Sequence, residues 1–66
     1  MNYYKVEIIY INYQLYNYIA IYKGKTPEEA LNKAQADCDK KNKEIGNIFK
    51  KAGKVLCQCD KWGNNL

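Results

Sequence analysis

The stretch from Tyr3 to Tyr22 constrains the fold more than any other part of this 66-residue chain. It reads YYKVEIIYINYQLYNYIAIY and contains all seven tyrosines and five of the seven isoleucines. Aromatic and β-branched residues at this density favour extended strands. Because the stretch is too long for a single strand, it predicts a β-hairpin.

The turn of this hairpin is predicted at Asn12-Tyr13, because asparagine tolerates the left-handed backbone of tight turns. The two strands then cover residues 2–11 and 14–23, and alternate residues share a face. One face, predicted to pack on the core, carries Tyr4, Val6, Ile8, Tyr10, Leu15, Asn17, Ile19 and Ile21. The other, more aromatic face carries Tyr3, Lys5, Glu7, Ile9, Ile11, Gln14, Tyr16, Tyr18, Ala20 and Tyr22. A three-residue loop would invert this division for one strand, and residues 13–17 are the alternative place for the turn.

A helix is predicted to begin at Pro27, because Thr26 is a favourable N-cap and Glu29 completes a capping box. Apolar residues continue at spacings of three and four past Gly46, so the helix is predicted over residues 27–51. The predicted stripe consists of Leu31, Ala34, Cys38, Ile45, Ile48 or Phe49, and Ala52, with Lys41 in one apolar slot. A break near Gly46 is the alternative, since glycine costs about 1 kcal/mol relative to alanine in a helix.

A third strand is predicted over residues 54–60, with Val55, Cys57 and Cys59 facing the helix, and a tail over residues 61–66. A right-handed crossover would place this strand beside the first one. The sequence therefore predicts a single α+β domain of the order ββαβ. Its three-stranded, mainly antiparallel sheet has the order 2-1-3, with one long helix on one face.

The joint between hairpin and helix, Gly24 to Leu31 with Ala34, is similar to the strand-to-helix joint of HicB-type antitoxins. The resemblance covers this joint and no more of the chain. That family has a further strand and a Pro-Gly segment before the joint, and this sequence has neither. No functional residue is therefore carried over from the family.

The composition excludes several classes of chemistry. The net charge is +4, all eleven basic residues are lysines, and histidine and arginine are both absent. Without histidine there is no Ser-His or Cys-His nucleophile pair. Without arginine there is no bidentate fork for carboxylate or phosphate. We predict that the protein is not an enzyme and uses no cofactor.

Three cysteines cannot form a complete set of disulfides within one chain. The residues after Met1 do not form the apolar core of a signal peptide, which predicts a cytoplasmic protein with reduced thiols. Cys38, Cys57 and Cys59 are predicted to be small buried hydrophobes. The alternatives are an inter-chain disulfide and a shared metal or redox site, because three thiolates facing one another could hold a soft metal ion, given a fourth ligand.

The lysines around the predicted helix allow nucleic-acid binding as an alternative function, because lysine neutralises phosphates and exposed tyrosine stacks on bases. The residues that would bind are Lys40, Lys41, Lys43, Lys50, Lys51 and Lys54. Acidic residues such as Asp39 and Glu44 lie among them, and a solvated helix face explains the same pattern.

The aromatic sheet face supports the leading hypothesis, since one helix covers one face and contiguous exposed apolar residues mark interaction sites. Its predicted binding residues are Tyr3, Lys5, Ile9, Tyr16, Tyr18 and Tyr22. We predict a protein-interaction module that binds and inhibits or adapts a host protein with an acidic surface, and that forms homo-oligomers through this face or an edge strand. Asparagine, lysine, isoleucine and tyrosine make up half of the chain. Their A/T-rich codons suggest a phage or mobile-element gene, which an anti-defence inhibitor acting in the host cytoplasm would fit.

Overall fold

Two antiparallel pairings join three strands into one sheet, with a helix packed on one of its faces. The computed structural model describes residues 1–11 and 17–66. Its elements are β1 (Asn2–Tyr10), β2 (Asn17–Gly24), α1 (Pro27–Ile45) and β3 (Lys50–Cys59). The strand order β2-β1-β3 confirms the predicted ββαβ architecture. The predicted turn at Asn12-Tyr13 lies outside the described residues.

The start of α1 is the predicted one, whereas its end is not. The Thr26 hydroxyl accepts a hydrogen bond from the Glu29 N–H at 3.1 Å, and Pro27 is the first helical residue. The helix ends at Gly46, so the predicted helix over residues 27–51 is too long. Gly46 has a φ of 78°, in the left-handed region that glycine tolerates, and its N–H donates to the Asn42 carbonyl at 2.9 Å.

The side chain of Asn42 fixes the early start of β3, in a segment that was predicted to be helical. Its Oδ1 accepts the N–H groups of Phe49 and Lys50, both at 3.2 Å, and its Nδ2 donates to the Lys50 carbonyl at 2.8 Å. The buried stripe of α1 therefore runs through Ala30, Ala34, Cys38 and Asn42. The amide of Asn42 takes the place that the apolar pattern gave to Lys41.

The register between β1 and β2 differs by one residue from the prediction. Val6 pairs with Ala20, whereas the predicted partner was Ile19. Because side chains alternate between faces, a shift of one residue turns the whole of β2 over. The predicted face division is therefore right for β1 and wrong for β2. Its helix-facing side chains are Tyr18, Ala20 and Tyr22, and Ile19 and Ile21 lie on the opposite face.

Two tyrosine hydroxyls explain this register. The Tyr22 hydroxyl donates to Asp37 Oδ2 at 2.8 Å, and the Tyr18 hydroxyl accepts from Lys50 Nζ at 3.0 Å. Both long side chains bury their rings beside the core and carry their polar ends to partners at its margin. Isoleucine in either position would remove the corresponding hydrogen bond.

The centre of the core is small and lies between β1 and α1. Val6, Ile8, Ala34 and Cys38 are fully or almost fully buried. Each buried valine or isoleucine contributes about 1.5–3 kcal/mol relative to exposure. Partly buried side chains surround this centre, namely Tyr18, Ala20, Tyr22, Leu31, Ala52 and Val55.

We expect Asn42→Ala to destabilise the fold by about 3 kcal/mol, because it leaves three backbone groups of the Phe49–Lys50 segment without their partner. Urea unfolding followed by circular dichroism measures the change. Asn32→Ala is the matched control, because Asn32 is exposed on the same helix. Its effect should stay within about 0.5 kcal/mol. Equal stability of the two variants would contradict the role assigned to Asn42.

Candidate functional site

The sheet face opposite α1, here called the open face, is the candidate site. Its strand residues are Tyr3, Lys5, Glu7 and Ile9 from β1, Asn17, Ile19, Ile21 and Lys23 from β2, and Lys51, Cys57 and Cys59 from β3. Cross-strand contacts confirm that these residues share a face. Asn17 Nδ2 donates to Glu7 Oε2 at 3.3 Å, and Lys23 Nζ lies 5.7 Å from the centre of the Tyr3 ring.

The centre of the open face on β2 is apolar and exposed. Ile19 is 56% exposed and Ile21 is 40% exposed, although both belong to a regular strand. The charged residues around them are mostly basic: Lys5 and Lys23 flank Ile21, and Lys51 pairs with Ile9 across the neighbouring strands. An apolar centre with a charged rim is the usual anatomy of a protein–protein contact surface.

The C-terminal tail crosses one end of the open face. Asn65 forms a β-bridge with Cys59, and the Cys57 Sγ lies 3.4 Å from Asn65 Oδ1. Gly63 lies against Ile21, where a methyl group on Gly63 would come 2.9 Å from the Ile21 Cδ1. The φ of Gly63 is +86°, so both the space and the backbone favour glycine.

Asp60 holds the tail in this turn. Its Oδ1 accepts the N–H groups of Asn64 and Trp62, both at 2.9 Å, and its own N–H donates to the Asn64 carbonyl at 2.9 Å. The hydrogen bond from the Asn64 backbone, followed by that from Trp62, lowers the pKa of the Asp60 carboxyl. Trp62 stays exposed, with Lys61 Nζ 4.5 Å from its ring centre.

The structure brings together three of the six residues predicted to bind a partner. Tyr3, Lys5 and Ile9 lie on the open face. Tyr18 and Tyr22 face α1 instead, and Tyr16 lies outside the described residues. The exposed residues that the sequence reasoning assigned to the core are Ile19 and Ile21. The strand alternation carries no signal for them, because Asp37 and Lys50, which bond the inward tyrosines, lie far away in the sequence.

Burial explains the state of the Tyr22 phenol. Removal from water raises its pKa, and the hydrogen bond to Asp37 raises the pKa further. The Tyr22 hydroxyl therefore stays a donor to Asp37 throughout the neutral range. This contact holds the Tyr22 ring on the helix side and leaves Ile21 on the open face.

The six lysines of the nucleic-acid alternative do not form one surface. Lys40, Lys41 and Lys43 are exposed on α1, and Lys51 lies on the open-face side of β3. Lys50 is only 6% exposed. Its hydrogen bond to Tyr18 raises its pKa although burial lowers it, so Lys50 is a charged internal group. Lys54 is exposed on β3, where the strand pairing is irregular.

The three cysteines lie on opposite faces of the sheet. Cys38 is buried under the helix, whereas Cys57 and Cys59 pair with Lys5 and Tyr3 on the open-face side. The prediction that Cys57 and Cys59 face the helix is therefore wrong, and the three thiols do not converge. Burial raises the pKa of the Cys38 and Cys59 thiols, which disfavours the thiolate needed for metal or redox chemistry. Across the described residues, no cluster of three or more metal-ligating side chains is found.

Comparison with known protein families, with curated proteins and with solved structures returned no significant match. Among residues 1–11 and 17–66, no helix is long and apolar enough to cross a membrane.

We expect the tail to be released at acid pH. The pKa of Asp60 is lowered in the folded chain from its ordinary 3.8. The stability that the ionised carboxylate gives to the tail turn is therefore fully present above that value. It is lost as the pH falls through the lower folded pKa. Fluorescence of Trp62, the single tryptophan, should change in that range while far-UV circular dichroism stays constant.

Asp60→Ala should give the released fluorescence at neutral pH, because it removes the acceptor of both N–H groups. Asp39→Ala is the control, since Asp39 is an exposed carboxylate on α1 that accepts from Gln35. A wild-type spectrum in Asp60→Ala would show that the carboxylate does not hold the tail.

Proposed function

We propose that this protein is a non-enzymatic interaction module that binds another protein on its open face. The observation that carries the proposal is the exposure of Ile19 and Ile21 at the centre of a regular sheet face. Isoleucine side chains on a water-facing strand contribute little to the fold of a monomer. A partner that covers them would remove apolar surface from water at about 25 cal/mol per Å².

The rim of the open face indicates the charge of the partner. Lys5, Lys23 and Lys51 outnumber Glu7, and the whole chain carries a net charge of +4. Complementary charge raises the rate of encounter and disfavours basic partners. We infer an acidic protein surface with an apolar centre that fits over Ile19 and Ile21.

The action of such a module is occlusion. A small domain that covers a functional surface of a host protein inhibits it, and one that leaves that surface accessible adapts it to a new partner. The richness in lysine, asparagine, isoleucine and tyrosine supports an origin in a phage or mobile element, with action in the host cytoplasm. An anti-defence inhibitor is the form of this function that we favour. Homo-oligomers through the sheet or one of its edges are part of the same proposal.

Nucleic-acid binding has less support from the geometry. The mechanism needs exposed tyrosines for base stacking, but Tyr18 and Tyr22 face α1, so Tyr3 is the tyrosine on the open face among the described residues. Binding through the remaining lysines would weaken steeply with salt. A salt titration with a single-stranded oligonucleotide tests this alternative directly.

We expect the double substitution Ile19→Ser with Ile21→Ser to reduce capture of a host partner at least 10-fold, because contact residues at the centre of an interface carry most of the binding energy. Affinity capture from host extract with quantitative mass spectrometry measures the loss. The fold should be retained, since both isoleucines are exposed.

Ile45→Ser with Ile48→Ser is the matched control. These isoleucines are 65% and 67% exposed, but they lie at the C-terminal end of α1 and just beyond it. The control should capture the partner as the wild type does. If the open-face variant captures as much as the wild type, or the control loses as much as the open-face variant, the binding surface is elsewhere.

A further inference from the structure

The two outer edges of the sheet differ in how their backbone groups are satisfied. On β3, the side chain of Asn42 bonds both backbone groups of Lys50, and Gln35 Oε1 accepts the Ala52 N–H at 3.1 Å. Two register shifts also make the pairing of β3 irregular. Side-chain caps and bulges of this kind prevent an edge strand from pairing with another chain.

The edge of β2 lacks such caps over most of its length. The Lys23 carbonyl accepts from Lys33 Nζ at 2.7 Å, so the backbone groups of Lys23 point away from β1. Along an antiparallel strand, the backbone N–H and C=O groups of successive residues point alternately to the two sides. The backbone groups of Ile19 and Ile21 therefore also point away from β1. Within residues 1–11 and 17–66, no side chain or backbone group bonds to them. No lysine lies between Asn17 and Tyr22 to prevent pairing.

The sequence of this free edge is its own mirror image. Residues 18–22 read Tyr-Ile-Ala-Ile-Tyr, a palindrome centred on Ala20. When a strand pairs antiparallel with a copy of itself, a palindrome places matched side chains opposite each other across the two-fold axis. This symmetry gives no advantage to pairing with an unrelated strand, so it favours a second copy of the chain.

We propose that two copies of this protein pair through their β2 edges, antiparallel and with the two-fold axis at Ala20. In this register Ile19 lies opposite Ile21 of the second copy and exchanges both backbone hydrogen bonds with it. By symmetry, Ile21 exchanges two more hydrogen bonds with Ile19 of the second copy, which gives four bonds in total. Each copy contributes the outward groups of Ile19 and Ile21, so the Lys33 contact at Lys23 need not be broken for these bonds to form.

Side-chain size and charge select this register over its neighbours. Ala20 meets Ala20 in a pair without hydrogen bonds, where the Cα atoms approach to about 4.5 Å and small side chains fit best. Lys23 then lies opposite Asn17. A shift that places the axis at Ile21 would put Lys23 opposite Ile19, next to the apolar centre.

The dimer would have one continuous six-stranded sheet, since each copy contributes three strands. Its two open faces lie on the same side, with the Ile19 and Ile21 side chains of both copies in the middle. This pairing specifies the homo-oligomer named in the proposed function, and it does not depend on binding of a host protein, because it uses the edge and not the face. The two +4 chains repel each other, so association should strengthen with salt, opposite to nucleic-acid binding.

The first test uses the wild-type chain. Sedimentation equilibrium between about 10 µM and about 1 mM, a range suited to small interfaces, should show a monomer–dimer equilibrium. Amide hydrogen exchange by NMR at both ends of the range should show protection of the Ile19 and Ile21 N–H groups only where the dimer is populated. A monomer throughout, or a dimer in which these two amides exchange freely, overturns the proposal.

The second test compares two substitutions at one position. Ile19→Pro removes an outward N–H from each copy, and a proline is tolerated at an edge strand whose N–H faces solvent. Two lost bonds at about 1 kcal/mol each should raise the dimer Kd by about 30-fold or more. Ile19→Ser keeps the N–H and should change the Kd by less than about fivefold.

The outcomes of the two sets of variants separate the two proposals. Ile19→Pro with a wild-type Kd, or Ile19→Ser with a loss as large as that of Ile19→Pro, overturns edge pairing. Where Ile19→Pro does not fold, the wild-type exchange experiment decides. Loss of host-partner capture in the Ile19→Ser and Ile21→Ser variant with the dimer retained supports the open face. Retained capture with the dimer intact overturns the open face alone.

Discussion

The hydrogen bonds of Tyr18 and Tyr22 determine which side of β2 faces the helix. Strand β2 is apolar on both sides, so burial of hydrophobic area alone is similar for either orientation. The hydroxyls decide between them, because Asp37 and Lys50 lie at the margin of the core and need partners there. Once Tyr18 and Tyr22 turn inward, the side-chain period of two places Ile19 and Ile21 on the open face. The candidate interaction surface is therefore a consequence of polar pairing on the opposite side of the sheet.

Asn42 is the second interaction on which the arrangement depends. It joins the last turn of α1 to the first residues of β3, and so it covers the outer edge of the sheet where β3 begins. Gln35 continues this cover at Ala52. The same contacts that close the fold thus block one edge. The opposite edge at β2 stays open because, among the described residues, Lys33 is the one α1 side chain that bonds a backbone group of β2.

The sequence predicts correctly those parts of the fold that are determined by residues close together in the chain. The capping box at Thr26 gives the start of α1, and the alternation of β1 gives its buried residues Tyr4, Val6 and Ile8. The predicted end of α1 was wrong because the apolar spacing continues past Gly46. In the structure Gly46 caps the helix, and the Asn42 amide bonds the first residues of the strand that follows. The predicted face of Cys57 was wrong because the register of β3 against β1 shifts between Val55 and Cys57. A regular alternation pattern in the sequence cannot reveal such a bulge.

The register of the hairpin could not be predicted because it depends on contacts distant in sequence. Tyr18 meets Lys50 and Tyr22 meets Asp37, and neither partner is visible in the alternation of the strands themselves. The same error affects the predicted site. Tyr18 and Tyr22 were expected on the open face, and Ile19 and Ile21 lie there instead. Tyr3, Lys5 and Ile9 lie on the predicted face because β1 is the central strand, where the buried alternation is strongest.

The geometry of a strand allows β2 to serve two interactions at once. The side chains of Ile19 and Ile21 stand perpendicular to the sheet, whereas their backbone groups lie in its plane and point away from β1. A protein bound to the open face contacts the side chains, and a second copy at the edge contacts the backbone. Edge pairing would bring the two apolar centres together in one sheet, so the pair would offer a larger and flatter surface than either chain alone.

The tail limits this surface at one end, because Gly63 rests on Ile21 and Asp60 holds the turn in place. Release of the tail would uncover more of Ile21 without disturbing the backbone edge, so the extent of the open face can change while the pairing of the strands does not.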